Sequence, residues 1–259
     1  MDKLLDWIGI FGIIVLCIAI AIMAVSICIS LYRTIVYYRF KGYNKQKIEC
    51  GLSAEQVATN IAENLNIPGI KVAPVKFWKG LFWGNHFDVK TNTIFLRKRL
   101  LTRNSLMAVA TATKIVATAE MHNKGDKRIR KINIMSAFGV LAPIVFLPLI
   151  ALGVILDFAI SDSLGVITIV LLIIALAYFI FGMTAQSLKL QVEKDSTARA
   201  LEYFQTTGVL NAEEQKDAKK LYKTQRIMML VDYIYTVMYV VWLSFKLLKS
   251  ILKLFSRKK

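Results

Sequence analysis

Four long apolar runs punctuate the chain, with polar, basic stretches between them. The first, Ile8 to Tyr32, carries no charge and is long enough to cross a bilayer. Asp2, Lys3 and Asp6 precede it, which is not the basic flank of a cleaved signal. Arg33, Arg39, Lys41, Lys45 and Lys47 follow it, a bias that places the N-terminus outside and the next segment inside. The second run, Ile134 to Leu156, contains Pro143 and Pro148 and is expected to kink there. A short outside turn, Asp157 to Ser163, leads into the third run, Leu164 to Met183. No breaker separates that run from Thr184 to Phe204, so one long helix is expected to leave the membrane. The fourth run, Met228 to Leu248, is interrupted by Asp232, expected at the interface, and by Lys246. The tail from Phe245 to Lys259 mixes lysines with Leu247, Leu248, Ile251, Leu252 and Phe255, an interfacial amphipathic pattern. About four transmembrane helices are therefore expected: an anchor over 1–32, a hairpin over 132–184, and a last helix with its tail over 228–259. The side reached by that tail stays open, because four full crossings would put its basic residues outside.

The polar stretches carry helix and strand signals. Ser53-Ala-Glu-Gln56 reads as a capping box, and Val57, Ile61 and Leu65 follow at helical spacing until Pro68-Gly69. Ile70 to Val75 and Thr93 to Leu96 read as short strands, the second after a turn at Lys90-Thr-Asn92. A helix rich in Ala and Thr is expected over 105–122, capped by Asn104 or Ser105. Gly208 suits a helix end, and Asn211-Ala-Glu-Glu214 opens another helix toward Tyr222. A small cytoplasmic α+β domain is thus expected from 33–131, completed by 185–227. The fold class is a membrane all-α bundle bearing this domain.

Composition sharpens this picture. The 259 residues are 56% hydrophobic, above the usual share for a soluble domain. The net charge of +17 comes from 34 basic and 17 acidic residues. No nucleic-acid module accompanies that charge, so anionic membrane lipid is the expected partner and nucleic acid is excluded. Cys17, Cys28 and Cys50 form no CxxC pair and read as small apolar fillers. The sequence has no GxSxG nucleophile elbow, and Cys50 has no histidine near it. Ser105 and Lys114 sit nine positions apart on one helix, roughly 13 Å by rise, and cannot form a dyad within it. The nearly uncharged runs show no inverted repeat, which argues against a carrier.

Several segments together resemble the small bacterial membrane-bound neutral zinc metallopeptidases, over about Gly51 to Leu230. They are Gly51-Leu-Ser-Ala-Glu-Gln-Val-Ala58, Asn85-His-Phe-Asp88, Val192-Glu-Lys-Asp-Ser-Thr-Ala-Arg-Ala-Leu201 and Gly208-Val-Leu-Asn-Ala-Glu-Glu214. The resemblance implies a zincin-like domain with a His-Glu-X-X-His motif on the helix at 105–122. In such a motif two imidazoles on one helix face bind zinc, and the glutamate activates water. Aligned on the family pattern, Lys114 falls at the first histidine, Ile115 at the glutamate and Thr118 at the second histidine. Glu193 falls at the third ligand. The motif's absence needs no alignment: His86 and His122 are the only histidines, and they do not stand four apart.

The resemblance thus implies loss of the zinc and no catalytic residues. Lys114, Ile115, Thr118 and Glu193 form the degenerate motif, and Lys114 is expected to pair with Glu193 in place of the cation. Asn85, His86, Asp88 and His122 are the expected groove. A substitute metal site of His86, His122 and Glu193 is possible by residue type but is not demanded by spacing. The expected function is a catalytically inactive pseudopeptidase in the bacterial plasma membrane. It is expected to be multi-pass with its polar domain cytoplasmic, and to bind or regulate a membrane protein, a peptide or an active protease. The competing reading is a membrane-bound peptidase or hydrolase with an unrecognised substitute site.

Overall fold

The structure is a computed structural model and describes residues 24–25, 27–82, 84–160 and 166–256. Residues 27–42 are helical. The elements that follow are α1 (Ala54–Asn64), β1 (Lys71–Pro74), α2 (Phe77–Phe82), β2 (His86–Asp88) and β3 (Thr93–Leu96). Then come α3 (Lys98–Leu101), α4 (Leu106–Asn123), α5 (Lys127–Ile160), α6 (Val166–Thr207) and α7 (Ala212–Ser256).

Local chemistry fixes the helix starts. Ser53 Oγ accepts from the Gln56 amide at 3.3 Å, and Gln56 Oε1 accepts from the Ser53 amide at 2.9 Å. Ser105 caps α4 by accepting from the Ala108 amide. Asn211 and Glu214 cap α7 reciprocally at 2.8 and 2.9 Å. The Glu214 carboxylate also accepts from the Glu49 amide at 2.7 Å, so this cap ties α7 to the residues before α1.

Three strands form one sheet in the order β1-β3-β2. β1 runs parallel to β3, with Lys71 opposite Thr93, while β2 runs antiparallel, with His86 opposite Phe95. The expected helix, strand, strand, helix order omitted β2 and the short helices α2 and α3. These have three to six residues, too few to show a period. The core packs α1, the sheet and α4 against Val192, Ala200, Phe204, Leu210, Ala218 and Leu221 of the later helices. Helix α4 is buried nearly all round, and its alanines and threonines let its neighbours approach closely.

The expectation of about four transmembrane helices is corrected. The described molecule is mostly helical with a small sheet, and one helix among the described residues is long and apolar enough to cross a membrane. That helix covers Ile167–Thr207, and its most apolar 18 residues have mean hydropathy 2.6 and are 11% buried. A sequence run counts apolar residues, whereas a span needs them on one continuous apolar helix. The first run lies outside the described residues except for 24–25 and 27–32. The second lies inside α5, where the apolar stretch found among the described residues is the short Pro148–Asp157. The fourth lies inside α7, a single helix that begins in the polar domain and in which Arg33 pairs with Asp232 at 2.5 Å. The separate polar helix expected before that run is therefore part of the same element.

The outside turn expected from Asp157 is also corrected at its start. Asp157 lies in the last turn of α5 and is buried. Its carboxylate accepts from the Ile167 and Thr168 amides at 3.0 and 2.8 Å, and from the Thr168 hydroxyl at 2.5 Å. A carboxylate from one helix thus satisfies the open amides and positive dipole end of the next. Close by, a Cβ on Gly153 would stand 2.8 Å from the Thr168 Cα. Gly153→Ala must push α5 and α6 apart and is expected to destabilise the protein by about 1–3 kcal/mol. Thermal unfolding in detergent checks this, and an unchanged midpoint would show that the contact is not tight.

Candidate functional site

The motif positions lie in the middle of α4, where it packs against α6 and α7. One helical turn separates Lys114 from Thr118, so both share a face. The Lys114 ammonium donates to Glu193 Oε1 on α6. These side chains are 8% and 11% exposed. At such burial a lone carboxylate or ammonium is unfavourable, and each offsets the other's desolvation. Ile115 is buried in the core. The Thr118 hydroxyl donates back to the Lys114 carbonyl at 3.0 Å, within its own helix. Tyr222 approaches from α7 and donates to the Ala110 carbonyl at 2.7 Å. Burial, together with the negative charge of Glu193, pushes its phenol well above the ordinary tyrosine value. It acts there as a staple between helices.

This donor set does not fit zinc. Among the described residues no group of three His, Cys, Asp or Glu side chains converges. A dication placed 4 Å from the Lys114 ammonium would be repelled by about 8 kcal/mol at an effective dielectric near 20. One carboxylate already engaged by an ammonium does not offset that.

The four groove residues are distributed. His86 and Asp88 line a surface hollow of about 670 Å³ together with Lys90, Arg130, Asn133 and Ile134. His86 stacks on Phe95 with ring centroids 5.3 Å apart, and its Nδ1 lies 3.0 Å from the Gly84 carbonyl. Asn85 accepts from the Arg97 amide at 2.7 Å, a structural bond between β2 and the start of α3. His122 lies at the far end of α4 against the Phe87 ring, 5.8 Å between centroids. The structure therefore brings His86 and Asp88 to one hollow and leaves Asn85 and His122 in structural contacts.

A second charge cluster, centred on the buried Glu120, had no signal beyond the Glu120 and Lys124 spacing. Glu120 on α4 accepts from Arg199 at 2.7 Å and from the Tyr203 hydroxyl, both on α6, and pairs with Lys124 at 2.7 Å. Burial alone would raise its carboxyl, but the bonds from Lys124, Tyr203 and Arg199 outweigh burial and hold it below the ordinary glutamate value. Beside it, Arg128 bridges Asp126 at 2.6 Å and Asp195 at 2.8 Å. The hydrogen bond from Arg128 is the main reason Asp126 titrates below the ordinary aspartate value. Together the two clusters clamp the end of α4 and the start of α5 onto α6.

No curated protein and no solved structure matches the chain. A family model does match over residues 15–246, nearly the whole sequence, and this span includes α4 with Lys114 and α6 with Glu193. The chain belongs to the neutral zinc metallopeptidase family.

Proposed function

We propose that this protein is a catalytically inactive member of its family, a pseudopeptidase that binds or regulates a polypeptide at the membrane without hydrolysing it. The observation that carries this reading is the buried Lys114–Glu193 pair, an ammonium where the aligned family pattern calls for a zinc-binding imidazole. Ile115 at the position of the general base has no group that can take a proton from water. The hollow beside His86 and Asp88 supplies room for a bound segment next to the β2 edge. The exposed apolar face of α6, with Ile169, Ile173 and Ile180, supports anchoring in a bacterial plasma membrane. The basic residues after position 32 favour a cytoplasmic position for the core domain.

Metal analysis of the detergent-purified protein tests this reading, with a variant carrying Lys114→His, Ile115→Glu and Thr118→His beside it. The wild type is expected to hold far less than one zinc per chain and to leave protein substrates uncut, whereas the variant gains zinc. Stoichiometric zinc or hydrolysis in the wild type would instead establish an active enzyme with a substitute site.

A further inference from the structure

We propose that the short helix α2 is an interfacial membrane anchor, with Phe77 and Trp78 seated among lipid headgroups so that the β2 edge of the core domain rests against the bilayer. The proposal builds on the reading that α6 crosses that bilayer.

Phe77 and Trp78 are 78% and 71% exposed, the two most exposed large hydrophobic side chains described. Their rings meet edge-on with centroids 5.6 Å apart, forming one apolar knob. Such a pair facing water is unfavourable, and no described part of the chain covers it. Trp in particular favours the membrane interface, where its ring is apolar and its N–H stays wet.

The strand after α2 bounds its height in the fold. The Asn133 side chain donates to the Phe87 carbonyl of β2 at 3.1 Å. Asn133 immediately precedes Ile134, where the apolar run of α5 begins and which is itself 60% exposed. Gly153 of α5 lies level with Thr168 of α6. From there to Ile134 is at most about 28 Å of helix rise, since Pro143 and Pro148 lie between, and that length on α6 ends near Ser187. The apolar part of α6 ends near Met183, so β2 sits at most about 6 Å beyond it, within headgroup depth. Phe82 ends α2 four residues before His86, a reach of at most about 14 Å. Lys90 and Arg130 are exposed beside β2 and Lys76 is exposed just before α2, as cations at the depth of lipid phosphates are expected to be. The Arg33–Asp232 pair, with Arg33 5.5 Å over the Tyr235 ring, adds a second charged and aromatic contact where residues 27–42 meet α7.

The test uses the full chain in lipid vesicles with Trp78 as its sole tryptophan, through Trp7→Phe, Trp83→Phe and Trp242→Phe. Trp78 emission is expected to be blue-shifted, protected from acrylamide, and quenched more by bromine near the headgroup end of the acyl chain than by bromine near its tip. A parallel probe replaces Trp78 with Phe as well and carries Ile173→Trp on the exposed face of α6. Quenching of the α6 probe by deep bromine, with Trp78 open to acrylamide and untouched by brominated lipid, would overturn the anchor alone. Absence of lipid quenching at both positions would overturn the anchor and the membrane span together.

Discussion

Lys114→Ala is expected to lower the thermal unfolding midpoint of the detergent-solubilised protein by about 6–20 °C. Removing one partner of a buried ion pair leaves the other charge unpaired, which costs about 3–5 kcal/mol. For a chain of this length each kcal/mol moves the midpoint by about 2–4 °C. The Glu193 side chain is 11% exposed and cannot recover its lost partner from bulk water without rearrangement. The double change Lys114→Met with Glu193→Gln removes both charges and is expected to recover most of the loss. An unchanged midpoint in Lys114→Ala would mean that both groups are ordinary solvated charges. The packing of α4 on α6 would then owe nothing to the pair.

Glu120→Ala is the second large effect, about 2–3 kcal/mol, because it leaves the buried Tyr203 hydroxyl without its acceptor and takes the carboxylate from the more exposed Lys124 and Arg199. It also has a pH signature. The folded carboxyl titrates below the ordinary value of 4.5, so the native state favours the ionised form. Its contribution is fully present above that value and is lost as pH falls through the lowered folded value. Asp126 contributes in the same direction from below 3.8. Midpoints measured from neutral pH into acid should therefore fall for the wild type and converge with those of Glu120→Gln at the acid end. Curves that stay parallel over the whole range would show that Glu120 does not supply this part of the acid sensitivity.

Much of the local structure was legible because its signals span few residues. Ser53 with Gln56, and Asn211 with Glu214, lie three positions apart, and those caps form as the spacing implies. Thr93 to Leu96 forms a strand, and the stretch from Leu164 to Phe204 joins one helix from Val166. β2 was hidden because three residues show no alternation, and its place depends on β3 and on Asn133. Asp157 looked like a turn residue because acidic residues are common in turns. Its use as a cap for the following helix depends on how α5 and α6 pack.

What the sequence by itself determined is the absence of two histidines four apart, the long apolar helix α6 and the basic character of the chain. Each is a matter of composition or of spacing within one segment. The tertiary structure decided which charges meet: Lys114 with Glu193, Glu120 with Arg199 and Tyr203, and Arg33 with Asp232. It also decided how many apolar runs become a continuous described span. Those outcomes depend on groups far apart in the chain, whose desolvation is offset only when packing brings a partner within bonding distance. No periodicity along the chain encodes that distance.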